Sequence, residues 1–186
     1  YPNGTYTELA RFHSGKALFL DTPEPRLDQS STFSAISELQ MFMEYFPASK
    51  RKTEAQQMIF ELQDKLVMKD YLSAKLYYDL GTYVGNSSQT ADGRINGNNF
   101  LACITTAQNA LKDYPYTSMR EEISILLLRA KHKLGSESVL EKKEERMRET
   151  IDEYYAFKNE FPESKYMKEV EAIYKDASKY VKELNE

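Results

Sequence analysis

The sequence is short of cysteine, histidine, glycine and proline, and each shortage removes a class of protein. One cysteine in 186 residues excludes a disulfide scaffold and a Cys-rich zinc site. Two histidines, His13 and His132, leave little for metal binding or His-based catalysis. Seven glycines and six prolines argue against collagen, elastic linkers and a turn-rich β-sandwich. No stretch approaches the roughly 18 apolar residues that a membrane-spanning helix needs, and mean hydropathy is −0.65. A basic excess is missing too. A net charge of −4 and a pI near 5.4 argue against a nucleic-acid binder, which carries a basic stripe to neutralise phosphates.

What is present has a globular balance, with 41% hydrophobic, 12% aromatic and 29% charged residues, so the chain is not wholly disordered. Its length suits one ordinary domain or a short stack of repeats. An aromatic–Pro pair recurs at Tyr1-Pro2, Phe46-Pro47, Tyr114-Pro115 and Phe161-Pro162, with Gly4, Ser49, Thr117 or Ser164 two residues on. The last three pairs close amphipathic runs. One carries Ile36, Leu39, Phe42, Met43 and Phe46. The next carries Phe100, Cys103, Ile104, Ala107, Leu111 and Tyr114, and the last Ile151, Tyr154, Tyr155, Phe157 and Phe161. Offsets of three and four put each run on one helix face. Proline has no N–H to donate and pushes the residue before it out of the helical region. The helices are therefore expected to end at or just before Pro47, Pro115 and Pro162. Ser49 or Thr117 can cap the next helix, and Phe46, Tyr114 and Phe161 are expected to be mostly buried in the hairpin corners.

The intervening segments also have helical spacing. Residues 121–134 carry Ile123, Leu126, Leu127, Ala130 and Leu134, with Gly135 as the expected stop. Residues 53–70 and 71–84 are each helical, and with no Gly or Pro between them they read as one helix or two. Residues 166–184 read as a closing helix with a charged outer face. No segment reads as a strand. Pro47 and Pro115 lie 68 residues apart (115 − 47), two periods of the roughly 34-residue tetratricopeptide repeat. Leu80-Gly81 and Leu134-Gly135 resemble the Leu-Gly of that repeat's first helix, Gly15 is a third candidate, and about ten extra residues sit in an inserted loop at 85–99. The expected fold is all-α, a tetratricopeptide-like array of antiparallel helical hairpins forming a right-handed α-solenoid, with residues 1–186 as a single domain.

Candidate chemistry is sparse. The stretch Asp92-Gly93-Arg94-Ile95-Asn96-Gly97 outlines a calcium loop, but Arg94 stands at the third ligand position and Cys103 at the twelfth, where a bidentate carboxylate is required. Cys103 lies on an apolar helix face and reads as a core residue, not as an activated thiol. His132, in a Lys-rich turn, reads as solvent-facing. Nucleophile, base and oxyanion donor do not assemble, so no enzyme, metal or cofactor is expected. The tyrosines, among them Tyr71, Tyr77, Tyr78, Tyr83, Tyr154, Tyr155, Tyr166, Tyr174 and Tyr180, read first as packing between tilted helices. A surface offered to a protein partner is the alternative.

Several ordered passages resemble one family. They are Leu27-Asp28-Gln29 with Thr32, Ala35-Ile36 and Phe46-Pro47-Ala48-Ser49, then Ser73-Ala74-Lys75-Leu76-Tyr77-Tyr78-Asp79-Leu80-Gly81 and Leu111-Lys112-Asp113-Tyr114-Pro115. Lys142-Lys143-Glu144-Glu145-Arg146 and Tyr154-Tyr155-Ala156-Phe157-Lys158 continue the set. Covering most of the chain, it resembles the outer-membrane β-barrel assembly lipoprotein family BamD, specifically its C-terminal portion without the lipid-anchor segment and first repeats. The resemblance implies a non-catalytic periplasmic scaffold without a cofactor, held by an N-terminal lipid at the outer membrane. It implies as partners the barrel-forming assembly protein BamA, other assembly lipoproteins and unfolded outer-membrane proteins. Lys112, Arg120 and Arg129 flank the passage around Tyr114-Pro115 and, with Arg94 in the inserted loop, are the expected partner-binding residues. Another periplasmic tetratricopeptide adaptor coordinating cell-envelope processes is the alternative.

Overall fold

The computed structural model describes residues 4, 6–82 and 98–181. The described residues hold α1 (Thr7–Leu20), α2 (Ser30–Tyr45), α3 (Lys52–Leu80), α4 (Asn99–Asp113), α5 (Arg120–Ser136), α6 (Leu140–Glu160) and α7 (Met167–Ala177), with a 3-10 turn at Ser178–Tyr180 and no strand. Tyr1-Pro2, Tyr83, Arg94 and the stretch Asp92–Gly97 lie outside the described residues, as does all of the 85–99 loop except Asn98 and Asn99.

Proline sets three of the helix ends. α2, α4 and α6 each stop two residues before Pro47, Pro115 or Pro162. The residue between leaves the helical region at φ −128°, ψ 63° for Phe46, φ −128°, ψ 67° for Tyr114 and φ −127°, ψ 64° for Phe161. Its N–H still donates to the carbonyl four residues back, on Phe42, Ala110 or Phe157. The burial expected of these three rings is corrected. They are half-buried, and the fully buried side chains stand four positions earlier, at Phe42, Ala110 and Phe157. A residue turned out of the helix at a corner has one side open to water; the one a full turn before it faces the neighbouring helices.

The glycines also divide differently from expectation. Gly81, at φ +54°, is left-handed and ends α3, donating to the carbonyls of Tyr77 and Tyr78. Gly135 does not stop α5, which runs on to Ser136. It lies buried where a Cβ would come within 3.1 Å of Met147 Sδ on α6. Residues 53–70 and 71–84 are one helix as far as Leu80, and the closing helix is shorter than 166–184, ending at Ala177.

The chain divides into two compact units, residues 1–69 and residues 70–186, with α3 running through the boundary. In unit 1, Phe12 meets Phe42 and Gly15 meets Leu39, so α1 and α2 are antiparallel. Along α1 and α3, Lys16 bonds Glu54 and the Thr22 oxygens accept from Lys65, so these two run parallel. Phe12, Leu39, Phe42, Met58, Ile59 and Leu62 form the core between all three. Unit 2 repeats this arrangement. Arg120 meets Glu160 and Lys131 meets Glu153, making α5 and α6 antiparallel, while Arg129–Glu169 and His132–Asp176 make α5 and α7 parallel. Ile125, Leu128, Tyr154, Phe157, Val170 and Ile173 fill the space between them. α4 packs on α5, and its Phe100 ring lies 5.8 Å from Tyr78.

Both units use one corner device. Ser49 Oγ donates to Glu8 Oε1 at 2.6 Å and accepts from the N–H of Arg51. Ser164 Oγ donates to Glu121 Oε1, also at 2.6 Å, and accepts from the N–H of Tyr166. Eight residues after each glutamate a cation, Lys16 or Arg129, reaches a glutamate five residues after each serine, Glu54 or Glu169.

Phe157→Ala is expected to lower unfolding free energy by roughly 3–5 kcal/mol, and Phe161→Ala by about half as much, because its ring is only half-buried. Urea unfolding of the two variants checks this. An equal or inverted order would mean that the corner ring anchors the hairpin after all.

Candidate functional site

Three of the four expected docking residues are among the described residues of unit 2, where the local helix geometry decides what each can reach. Lys112 is in the last turn of α4 and exposed. Arg120 opens α5, donates to the Pro115 carbonyl at 3.2 Å and pairs with Glu160 at the end of α6. Arg129, two and a half turns on, donates through Nε and Nη2 to the two oxygens of Glu169, both at 2.7 Å, and lies over the Tyr166 ring at 5.4 Å. A two-pronged guanidinium fits a carboxylate in a way that an ammonium cannot. Arg120 and Arg129 thus clamp α5 to α6 and to α7, and Lys112 stands as the exposed cation of the set.

Electrostatics at these pairs follows the contacts. The hydrogen bond from Arg129 holds the Glu169 carboxyl below its ordinary value of 4.5, against a smaller opposing effect of burial. The hydrogen bond from His132 and then that from Lys179 lower Asp176 in the same sense. His132 is corrected from solvent-facing to half-buried. Its Nε2 lies 2.9 Å from Asp176 Oδ2, because α7 runs alongside α5 and brings a carboxylate onto that face. Cys103 is fully buried on α4, and loss of water pushes its thiol up to about 12, far from a thiolate nucleophile at neutral pH. Among the described residues, no group of three His, Cys, Asp or Glu side chains is placed to hold a metal ion.

The tyrosines divide between packing and exposure. Tyr154 is buried and stacks on Tyr174 at 4.4 Å, while Tyr155 is exposed and its hydroxyl lies 3.3 Å from that of Tyr174. Lys158 donates to the Tyr154 hydroxyl at 3.1 Å. What sequence reasoning missed is the carboxylate half of the corner device. Glu8 and Glu121 lie 41 and 43 residues before Ser49 and Ser164, and only the recurrence of Glu, a cation eight residues later and a Ser-x-x-x-x-Glu corner marks them. A shallow hollow of about 350 Å³ opens at the unit 2 corner, lined by Glu121, Phe161, Pro162, Glu163, Ser164 and Lys165.

Two outcomes are expected. Because the folded-state Glu169 carboxyl is lowered, its stabilising effect is present above its ordinary value and is lost as pH falls through the lowered one. Arg129→Gln should therefore flatten the acid limb of a stability-versus-pH curve below about pH 4.5; an unchanged slope would show that the pair contributes nothing. Cys103 should resist iodoacetamide at pH 8 in the native chain and react fully in denaturant. Equal rates, read by mass spectrometry, would contradict its burial.

No curated protein matches the chain individually. Residues 1–146 match the family YfiO, described as outer membrane lipoprotein. The match takes in unit 1, α4, α5 and the start of α6, including the first corner device and all three described cations. With more than three quarters of its residues matched, the chain belongs to the YfiO outer membrane lipoprotein family.

Proposed function

We propose that this protein is a non-catalytic scaffold of the machinery that assembles β-barrel proteins in the outer membrane, a BamD-like member of its family. The observation that carries this is the family match over residues 1–146 of an all-helical chain. The repeated corner device supports a tetratricopeptide-like array read as one repeat domain over 1–186, since two three-helix motifs with the same parallel and antiparallel contacts are what a stacked hairpin solenoid contains. In this reading the protein works on the periplasmic face of the outer membrane, held there by a lipid in the full-length form. It binds the barrel-forming assembly protein BamA and other assembly lipoproteins, and assists insertion of unfolded outer-membrane proteins.

A repeat array binds through an extended surface and needs no pocket. Lys112, Arg120, Arg129 and Arg94 are the cations proposed to meet BamA. Arg120 and Arg129 share their charge with Glu160 and Glu169, so replacing them disturbs helix packing as well as docking. Lys112 is exposed and is the cleaner probe.

Lys112→Glu is expected to weaken capture of the barrel-forming protein from detergent-solubilised envelopes by about tenfold at low salt, with a smaller effect at high salt. Its thermal melt should match the parent's. Undiminished capture at every salt concentration would remove Lys112 from the interface. Failure of the parent chain itself to retrieve that protein would count against the assembly role.

A further inference from the structure

The duplicated corner makes unit 2 an internal control for the surface of unit 1. Setting Ser49 on Ser164 aligns α2 and the start of α3 with α6 and α7, each residue corresponding to the one 115 positions later. The buried positions agree at five places. Leu39 corresponds to Tyr154, Phe42 to Phe157, Ala55 to Val170, Met58 to Ile173 and Leu62 to Ala177, and all ten are buried.

The outer positions do not agree. Between α2 and α3 lies an open groove of about 360 Å³, lined by Met43, Lys52, Thr53, Gln56, Gln57 and Phe60. Phe60 is 51% exposed, and Met43 is half-buried. At the same places unit 2 carries Lys175 for Phe60, Lys158 for Met43 and Glu171 for Gln56, all exposed. The three-helix motif therefore folds with charges at these positions. Met43 also packs against the core of unit 1, but the exposed Phe60 ring is no part of that core, and an exposed ring beside a methionine is the composition of a contact surface.

The rim adds a sign of charge. Arg51 and Lys16 are engaged by Glu8 and Glu54, whereas Lys50 and Lys52 are exposed and are held by no carboxylate among the described residues.

We propose that this groove docks a segment of a protein partner that carries one large apolar side chain flanked by carboxylates. The side chain enters between Met43 and Phe60, a carboxylate meets Lys52, and the Gln56 amide bonds the segment's backbone. The groove lies wholly in unit 1, and the proposal does not depend on what the unit 2 cations bind.

The test uses the full chain with carbon-13-labelled methionine methyls and a synthetic peptide with one Phe between pairs of Glu in a Ser/Gln background. The Met43 methyl signal should shift and saturate with this peptide and should not move with the Phe→Ser peptide. The variant Met43→Lys/Phe60→Lys copies residues that unit 2 already tolerates, so it should stay folded, its circular-dichroism melt lowered only by the lost Met43 core contact, while peptide affinity falls at least about tenfold. Lys52→Glu should lose the acidic peptide and gain one with Lys in place of Glu. A Met43 signal that never moves, affinity indifferent to the double lysine variant, or no exchange of charge preference at Lys52 would each overturn the proposal. So would a parent dimer that the double variant converts to monomer, since a second copy of this chain would then fill the groove.

Discussion

A serine at a proline-ended corner has to serve two helices at once, and the packing of each three-helix motif depends on how it does so. When proline stops a helix, the next one begins with N–H groups that have no intrahelical partner. Ser49 and Ser164 accept from the N–H two residues ahead and so organise the first turn of α3 or α7. The same hydroxyl donates to Glu8 or Glu121 on the helix two elements earlier. A hydrogen bond to a charged group contributes about 1.5–3 kcal/mol where it is buried and less at a half-open corner. Its larger effect is geometric. It fixes the register of the third helix on the first at one end, so the Lys16–Glu54 and Arg129–Glu169 contacts one and two turns further on fall into line. The middle helix, α2 or α6, is then confined between them, with Phe42 or Phe157 in the space.

How much of this was legible in the sequence follows from the range of each signal. Helix ends at Pro47, Pro115 and Pro162 are local chemistry, set by a missing N–H and a steric clash, and they stand where the residues place them. The buried faces follow from spacings of three and four, and so does the burial of Cys103. Gly135 was misread because glycine serves two purposes that look alike in sequence. It permits positive φ at Gly81 and close helix approach at Gly135, and only the neighbouring helix distinguishes them. His132 was misread for a related reason, since its partner Asp176 is 44 residues away on α7. The candidate cations Arg120 and Arg129 looked like free surface charge because Glu160 and Glu169 each lie 40 residues distant.

The two motifs share a frame but distribute aromatic and cationic partners differently. In unit 1 the ring is on the first helix, where Phe12 has Lys16 and Arg51 each 5.8 Å from its centroid. In unit 2 the ring is Tyr166, at the start of the third helix, with Arg129 at 5.4 Å and Lys165 at 4.8 Å. Ile125 takes the place of Phe12 and Tyr166 that of Arg51. The cation on the first helix, Lys16 or Arg129, keeps its place while the ring moves from the first helix to the start of the third, and the contact between them persists. The corner serine and its glutamate are bonded alike in both units whichever helix carries the ring. The outer faces are freer still, which is how Met43 and Phe60 can stand where the other motif has lysines.

The stronger pairing falls where the helix is least able to support itself. α7 has eleven residues, fewer than an isolated helix needs to hold its shape in water, so its order comes from contacts made across to α5 and α6. Those contacts are dense. Ser164 fixes the corner, Arg129 grips Glu169 with two bonds where Lys16 gives Glu54 one, and His132 with Lys179 holds Asp176 two turns further on. The corresponding part of α3 is the opening of a 29-residue helix that continues beyond the motif. Its own length supplies hydrogen bonds that α7 lacks, and there the one-bond Lys16–Glu54 pair stands beside the Arg51–Glu8 and Lys65–Thr22 contacts. Arginine at 129 and lysine at 16 are thus the same device, adjusted to the length of the helix it has to hold.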